Sequence, residues 1–310
     1  MKKISIVSCC YNEVELIDEF SAQVINELKV YDNKYEYEII VIDNNSNDGT
    51  IERLREIAKK NKAFKVIICT KNFRSERTVK HALKQATGDV IIHLSSDLEQ
   101  PTSLIHDFLK KWEGGSKIVF GQKITSDESR FLKILKKYYW KILIFLSDEN
   151  MPINTEGFMF DKSVKNELVN IYDPNAFLRG TTFELFHKYD LVKFKKEVRK
   201  KGYSKSNLNY LFSYGTETIF KMSLKPLRLI IMIGFIMSFF SFLTAIFYLF
   251  YKLIYWSTFS VGIAPLIIGL FFILSLMITM IGVLGQYVII LVSYAKNLPN
   301  VVEEERINFK

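Results

Sequence analysis

Two long stretches of this 310-residue chain, 229–251 and 257–295, contain no charged residue at all. In a sequence that is 24% Asp, Glu, Lys and Arg, such gaps argue against an ordinary water-facing surface for those segments. Each exceeds the roughly 20 apolar residues needed to cross a hydrocarbon core about 30 Å thick. Two membrane spans are therefore predicted, at about 229–251 and 262–293. Cysteine is scarce as well. Cys9, Cys10 and Cys69 are odd in number and fall on predicted strands or their ends, which suits a reducing compartment with the thiols as small core residues. The first eight residues lead directly into a strand, so no signal peptide is expected. A nucleic-acid recognition motif is also lacking, so the net charge of +9 is not assigned to a nucleic-acid partner.

That positive charge sits just before the first apolar run. Lys188, Lys193, Lys195, Lys196, Arg199, Lys200, Lys201, Lys205, Lys221, Lys225 and Arg228 precede it, and the connector between the runs carries only Lys252. Positive residues stay on the cytoplasmic side. The expected arrangement is a multi-pass protein of the cell (plasma) membrane with the large domain and both termini cytoplasmic. A basic juxtamembrane surface should also be drawn to anionic headgroups. The boundaries read as a catalytic domain over 1–205, an interfacial helix and linker over 206–228, spans within 229–295, and a cytoplasmic tail over 296–310.

Within the first 205 residues, strand and helix patterns alternate. Apolar runs at 3–9, 38–42, 64–69 and 90–94 predict strands, and helical spacing appears over 14–31, 51–61 and 75–86. The fold class is α/β, a doubly wound domain whose ligands sit beyond the carboxyl ends of the strands. Three of those ends carry acidic or amide groups, which favours a nucleotide-sized site. After the fourth strand come Asp97 and Glu99, two residues apart in a predicted extended turn, so that both can point into the crevice. Such hard oxygen ligands suit Mg²⁺ or Mn²⁺, with substrate phosphate and water completing the shell. Alternatively this is a strand end with a polar turn and Pro101 at a helix start. Asp43, directly after a buried strand, is read as a hydrogen-bond partner for a base or ribose. Asp48 is assigned to the same nucleotide site, with a helix N-cap as its alternative.

In order and spacing, CCYNE at 9–13, VIDNNSNDGT at 41–50, NF at 72–73, TGD at 87–89 and SSDLEQP at 95–101 resemble the inverting GT-A glycosyltransferases. GYSK at 202–205, KPLR at 225–228 and the two C-terminal spans narrow the resemblance to the polyprenyl-phosphate glycosyltransferases. It implies a Rossmann-like GT-A domain, a nucleotide-sugar donor (a UDP-sugar is expected) and a polyprenyl phosphate acceptor. By position, Glu13, Asp43 and Ser95 would lie in the nucleotide site, and Asp97 and Glu99 would hold the metal bridging the diphosphate. This chain has Ser95 where the family usually has Asp, Glu99 where it has Gln, and Cys9 where it has Pro.

The resemblance also implies that Lys123 meets the acceptor phosphate, where the family tends to have Arg, and that Glu156 stands at the catalytic acidic position. Structural capping at a strand edge is the alternative for Glu156. Lys196, Arg199, Ser204 and Lys205 belong to a basic, glycine-containing loop that can close over a diphosphate, or bind lipid headgroups. Arg179-Gly180 also resembles a family signature. Amphipathic spacing predicts a helix over 127–146 and an interfacial helix over 208–224. Gly234, Gly269, Gly282 and Gly285 would permit close helix packing, within a subunit or in a homo-oligomer. Two other readings stay open: extension of a surface polysaccharide, and a non-catalytic membrane scaffold.

Overall fold

The computed structural model describes residues 1–124, 141, 145, 152, 154–174, 176–196, 220, 223–254 and 263–309. The helix predicted over 127–146 lies outside these residues apart from 141 and 145. That over 208–224 lies outside them apart from 220, 223 and 224. Arg199, Ser204 and Lys205 lie outside them altogether. The described residues form two compact units, one of 1–124, 152–196 and 297–309, the other made chiefly of 223–254 and 263–296.

The first unit is built on buried β-branched runs. In chain order its elements are β1 (Lys2–Cys10), α1 (Ile17–Lys29), β2 (Tyr35–Asp43), α2 (Thr50–Lys60), β3 (Phe64–Cys69), α3 (Ser75–Gln85), β4 (Val90–His93), α4 (Leu104–Glu113), β5 (Ile118–Lys123), β6 (Thr155–Asp161), α5 (Lys162–Asn170), α6 (Leu178–Leu185), β7 (Asp190–Phe194) and β8 (Glu303–Ile307). Uncharged strands covered on both faces belong to parallel sheets, and β1 to β4 pair in parallel. Helix α1 turns Ile17, Phe20, Val24 and Leu28 inward, the stripe expected of a helix lying on a sheet. The strand order is β7-β5-β6-β4-β1-β2-β3-β8. The chain winds outward from β1 to β3, then returns to place β4 on the other side of β1. Ligands of open α/β sheets bind outside the carboxyl ends at such a reversal.

The sheet is mixed. Strand β6 runs antiparallel to β4 and β5, while β7 runs parallel to β5. The ends of β5 and β7 and the start of β6 consequently face the same edge as the ends of β1 to β4.

The C-terminal segment, expected as a tail over 296–310, is instead part of the sheet. Strand β8 pairs antiparallel with β3, Val66 opposite Ile307 and Ile68 opposite Glu305. Arg55 reaches Glu305 at 2.6 Å, His81 pairs with Glu303, and Asn308 Nδ2 donates to the carbonyls of Ala58 (2.7 Å) and Phe64 (2.8 Å). A charged, short strand is how proteins cover a sheet edge. Its Glu and Arg residues made it look like a solvated tail.

In the second unit, α7 (Lys225–Ile254) and α8 (Ile263–Ala295) are long and apolar enough to cross a membrane, about 45 Å and 50 Å at 1.5 Å per residue. Ser223 Oγ accepts the Lys225 N–H at 3.0 Å. Pro226 falls in the first turn, where its missing N–H costs nothing. A methyl group added at Gly234 would meet Met280 Cε at 3.6 Å, whereas at Gly269, Gly282 and Gly285 it would meet nothing within 4 Å among the described residues.

Candidate active site

The loops after β1 and β2 are tied to each other by short polar side chains. Ser46 Oγ accepts the Asn12 N–H (2.8 Å), Thr50 Oγ1 accepts that of Glu13 (3.0 Å), and Asn12 Oδ1 accepts that of Asn47 (2.9 Å). Asp48 accepts the Val14 N–H at 3.1 Å on one oxygen and the Thr50 N–H and hydroxyl, at 3.0 and 2.5 Å, on the other. Burial opposes its charge, but the bonds from Thr50 and Val14 outweigh it and hold the carboxyl below its usual range.

Asp43 is fully buried. It accepts from the Ser46 N–H (2.7 Å), the Ser46 hydroxyl (2.5 Å) and the Cys10 thiol (3.4 Å). Burial pushes its carboxyl up despite the bonds from Ser46. Both aspartates therefore help to build the loops through the protein's own donors; Asp43 is sealed, while Asp48 stays exposed. Gly49, at φ +98°, occupies the N-cap position of α2, and Asp48, one residue earlier, accepts the N–H of the helix's first residue, Thr50.

Beyond β4 the chain makes an unusual turn. Leu98 has φ +56°, a region costly for a side-chain-bearing residue, yet its side chain is buried in the core. Core burial holds the strained backbone, leaving Asp97 and Glu99 half-buried on either side. The Glu99 N–H donates to Asp97 Oδ1 at 3.1 Å. Ser96 Oγ donates to the Cys9 carbonyl at 2.9 Å, so the turn is anchored to β1. The Ser95 N–H donates to Gln100 Oε1 at 3.3 Å.

Glu156 approaches from the other side. With His93 opposite Phe158, the first residues of β6 extend past the end of β4. Two glycines let this strand come close. A Cβ at Gly157, φ +70°, would lie 2.9 Å from Gln100 Oε1, and one at Gly121 would lie 2.5 Å from the Glu156 carbonyl oxygen. Lys123 ends β5 and Lys196 follows β7 at the same edge. The Lys196 ammonium pairs with Glu99. Burial opposes its charge, but the Glu99 hydrogen bond and the charges of Glu156, Glu99 and Asp97 hold its pKa above the usual lysine range. Asp97, Glu99, Glu156 and Lys196 thus share one electrostatic neighbourhood.

The fit of this place to a divalent cation follows from its donors. Asp97 and Glu99 offer hard carboxylate oxygens, and Glu99 already accepts a cationic group. Among the described residues no cluster of three or more His, Cys, Asp or Glu forms a complete cage. A divalent ion held by Asp97 and Glu99 would therefore need water and substrate oxygens to complete its shell.

Gln100, which accepts the Ser95 N–H, was given no role from the sequence, and the close approaches at Gly121 and Gly157 depend on strand pairing that it does not show. His93 stacks on Phe158 with ring centroids 4.8 Å apart, and both ring nitrogens are buried without a hydrogen-bond partner among the described residues. Burial, with the Arg179 charge, pushes its pKa down to about 4. The unfolded chain takes up this proton near pH 6.5 and the folded chain only near 4, so stability falls as pH drops through that window, by up to about 3 kcal/mol. Melting temperatures between pH 6.5 and 4 should therefore fall more steeply for the wild type than for His93→Phe. Parallel slopes would mean that another group titrates.

Known proteins resemble this chain in sequence and in fold. Residues 5–168 match the family model described as glycosyl transferase family 2. The uncharacterized glycosyltransferase sll0501 of Synechocystis sp. is 28% identical over 287 residues, 92% of this chain and 89% of that one. The prophage bactoprenol glucosyl transferase homolog of Escherichia coli is 27% identical over 290 residues, 92% of this chain and 93% of that one. Among solved structures, glucosyl-3-phosphoglycerate synthase from Mycobacterium tuberculosis, in complex with Mn²⁺, uridine diphosphate and phosphoglyceric acid, aligns with a TM-score of 0.50 at 16% identity. That alignment covers 71% of this chain and 76% of that one, a likeness of fold.

Proposed function

The chain belongs to glycosyl transferase family 2, and from that membership we propose that it transfers a sugar, with inversion, from a nucleotide sugar to a polyprenyl phosphate at the cytoplasmic membrane face. The observation that carries this reading is the convergence of Asp97, Glu99, Glu156 and Lys196 at one sheet edge, in a chain that also has two apolar helices. Relatives named for bactoprenol, matching over nine-tenths of the chain, support the lipid acceptor. A solved neighbour of the same fold holds Mn²⁺ and UDP, which supports a UDP-sugar donor and a divalent cation.

In this proposal the nucleoside lies over the loops that Asp43 and Asp48 build, beside Glu13 and Ser95. Asp97 and Glu99 would hold Mg²⁺ or Mn²⁺ against the diphosphate. When bound, the cation would neutralise charge that grows on the leaving nucleoside diphosphate. One oxygen of the acceptor phosphate attacks the anomeric carbon as the bond to the diphosphate breaks on the opposite face, and the configuration inverts. That oxygen is already anionic near neutral pH. Glu156 therefore orients the acceptor and takes any residual proton instead of generating the nucleophile. Lys123 and Lys196, joined by Arg199, Ser204 and Lys205 of the basic loop, are assigned to the phosphates.

The two apolar helices would keep the protein at the membrane that carries a polyprenyl phosphate, so the acceptor need not be extracted. Purified protein in detergent, supplied with Mn²⁺, polyprenyl phosphate and labelled nucleotide sugars, is expected to form a lipid-linked sugar. Product on glycan acceptors but not on lipid phosphate would contradict the acceptor assignment.

A further inference from the structure

The ammonium of Lys196, which follows β7, is paired with a carboxylate of the turn after β4. Lys196 ion-pairs with Glu99, their side chains 25% and 21% exposed, and the charges of Asp97 and Glu156 act on it as well. With no complete cage among the described residues, a free divalent ion entering here must displace a bound ammonium and gains at most a few protein oxygens in return. An ion already chelated by a diphosphate arrives with ligands of its own. Its phosphate oxygens also offer the displaced lysine a new anionic partner, to which an ammonium on a flexible stem can turn without fixed geometry.

Resting on the reading of Asp97 and Glu99 as cation ligands, we propose that Lys196 is a positioning residue that keeps the cation place filled until a metal–nucleoside diphosphate complex enters. It then passes from Glu99 to the diphosphate. Metal and nucleotide consequently bind as one unit, and free metal binds weakly. The exchange preserves local charge: a cation leaves the carboxylates as another arrives, and the lysine moves onto the extra anion.

The test is Mn²⁺ binding to the full-length protein in detergent, followed by the electron paramagnetic resonance signal of the free ion. Without nucleotide, Lys196→Met is expected to bind Mn²⁺ at least roughly tenfold more tightly than the wild type, because no ammonium competes for the carboxylates. Lys195→Met removes the same charge from the exposed neighbouring residue and is expected to stay within about twofold of the wild type, its charge being screened by solvent. Lys196→Gln provides a second variant with the same expectation should the first fail to fold. Equal affinities in all proteins, or equal tightening in the Lys195 and Lys196 variants, would overturn the proposal. The wild type is measured with UDP as well. Tight Mn²⁺ binding there upholds the cation site independently of Lys196, and its failure would overturn the site itself.

Discussion

Asp97→Ala is expected to lower turnover by roughly 10³-fold, about 4 kcal/mol of transition-state stabilisation, and to abolish Mn²⁺-dependent binding of UDP. In the proposed reaction the leaving diphosphate gains charge as the bond to the sugar breaks, and Asp97 is one of the two carboxylates proposed to hold a counter-charge there. The fold should survive, because the side chain is half-buried and the turn is anchored independently by Leu98 in the core and by Ser96 on the Cys9 carbonyl. Two measurements check this: transfer of label from the donor to lipid phosphate, and the shift in melting temperature with UDP and Mn²⁺. A ligand that binds only the native state raises its stability by mass action. The variant alone should melt close to the wild type but show no shift. Full turnover in Asp97→Ala would show that the metal assignment is wrong.

Glu156→Gln is expected to lower kcat by about 10²-fold while leaving donor affinity within about twofold. Gln keeps the size of the side chain and one carbonyl oxygen, so the tight approach of β6 to Gly121 and Gln100 is preserved. What is lost is the charge proposed to orient the acceptor and to receive a residual proton. The separation of kcat from binding is the informative part. A matched fall in donor affinity would move Glu156 from the acceptor side of the reaction to the donor side.

Much of this architecture was legible in the sequence because it follows from burial. Strands such as EIIVID and VIIH are apolar on both faces, and the α1 stripe through Phe20, Val24 and Leu28 has helical spacing, so the parallel core could be read directly. The acidic strand ends could also be read, since a carboxylate after a buried strand has few places to go except the crevice. What each carboxylate does there was less legible. Asp43 and Asp97 look alike in sequence, but Asp43 is met by Ser46 and Cys10 and is sealed, while Asp97 is left half-buried by the left-handed turn at Leu98. That difference depends on hydroxyls placed by neighbouring loops and has no periodic signature.

Long-range pairings were hidden for a similar reason. Nothing local to the sequence joins Lys196 to Glu99, nearly a hundred positions earlier; the parallel alignment of β7 with β5 brings them together. The antiparallel β8 was obscured by its charges, which suit both a solvated tail and a sheet edge. His93 reads as one polar residue ending an apolar strand, and only the packing of Phe158 against it shows that both its nitrogens are sealed.

The claim on which the account rests is that a divalent cation and a nucleoside diphosphate meet at the turn after β4. Anomalous diffraction from crystals soaked with Mn²⁺ and UDP tests it most directly. A manganese peak is expected within coordinating distance of Asp97 or Glu99, next to the UDP phosphates, with Lys196 withdrawn from Glu99. A manganese–UDP complex bound elsewhere on the protein, with Lys196 still paired to Glu99, would contradict it.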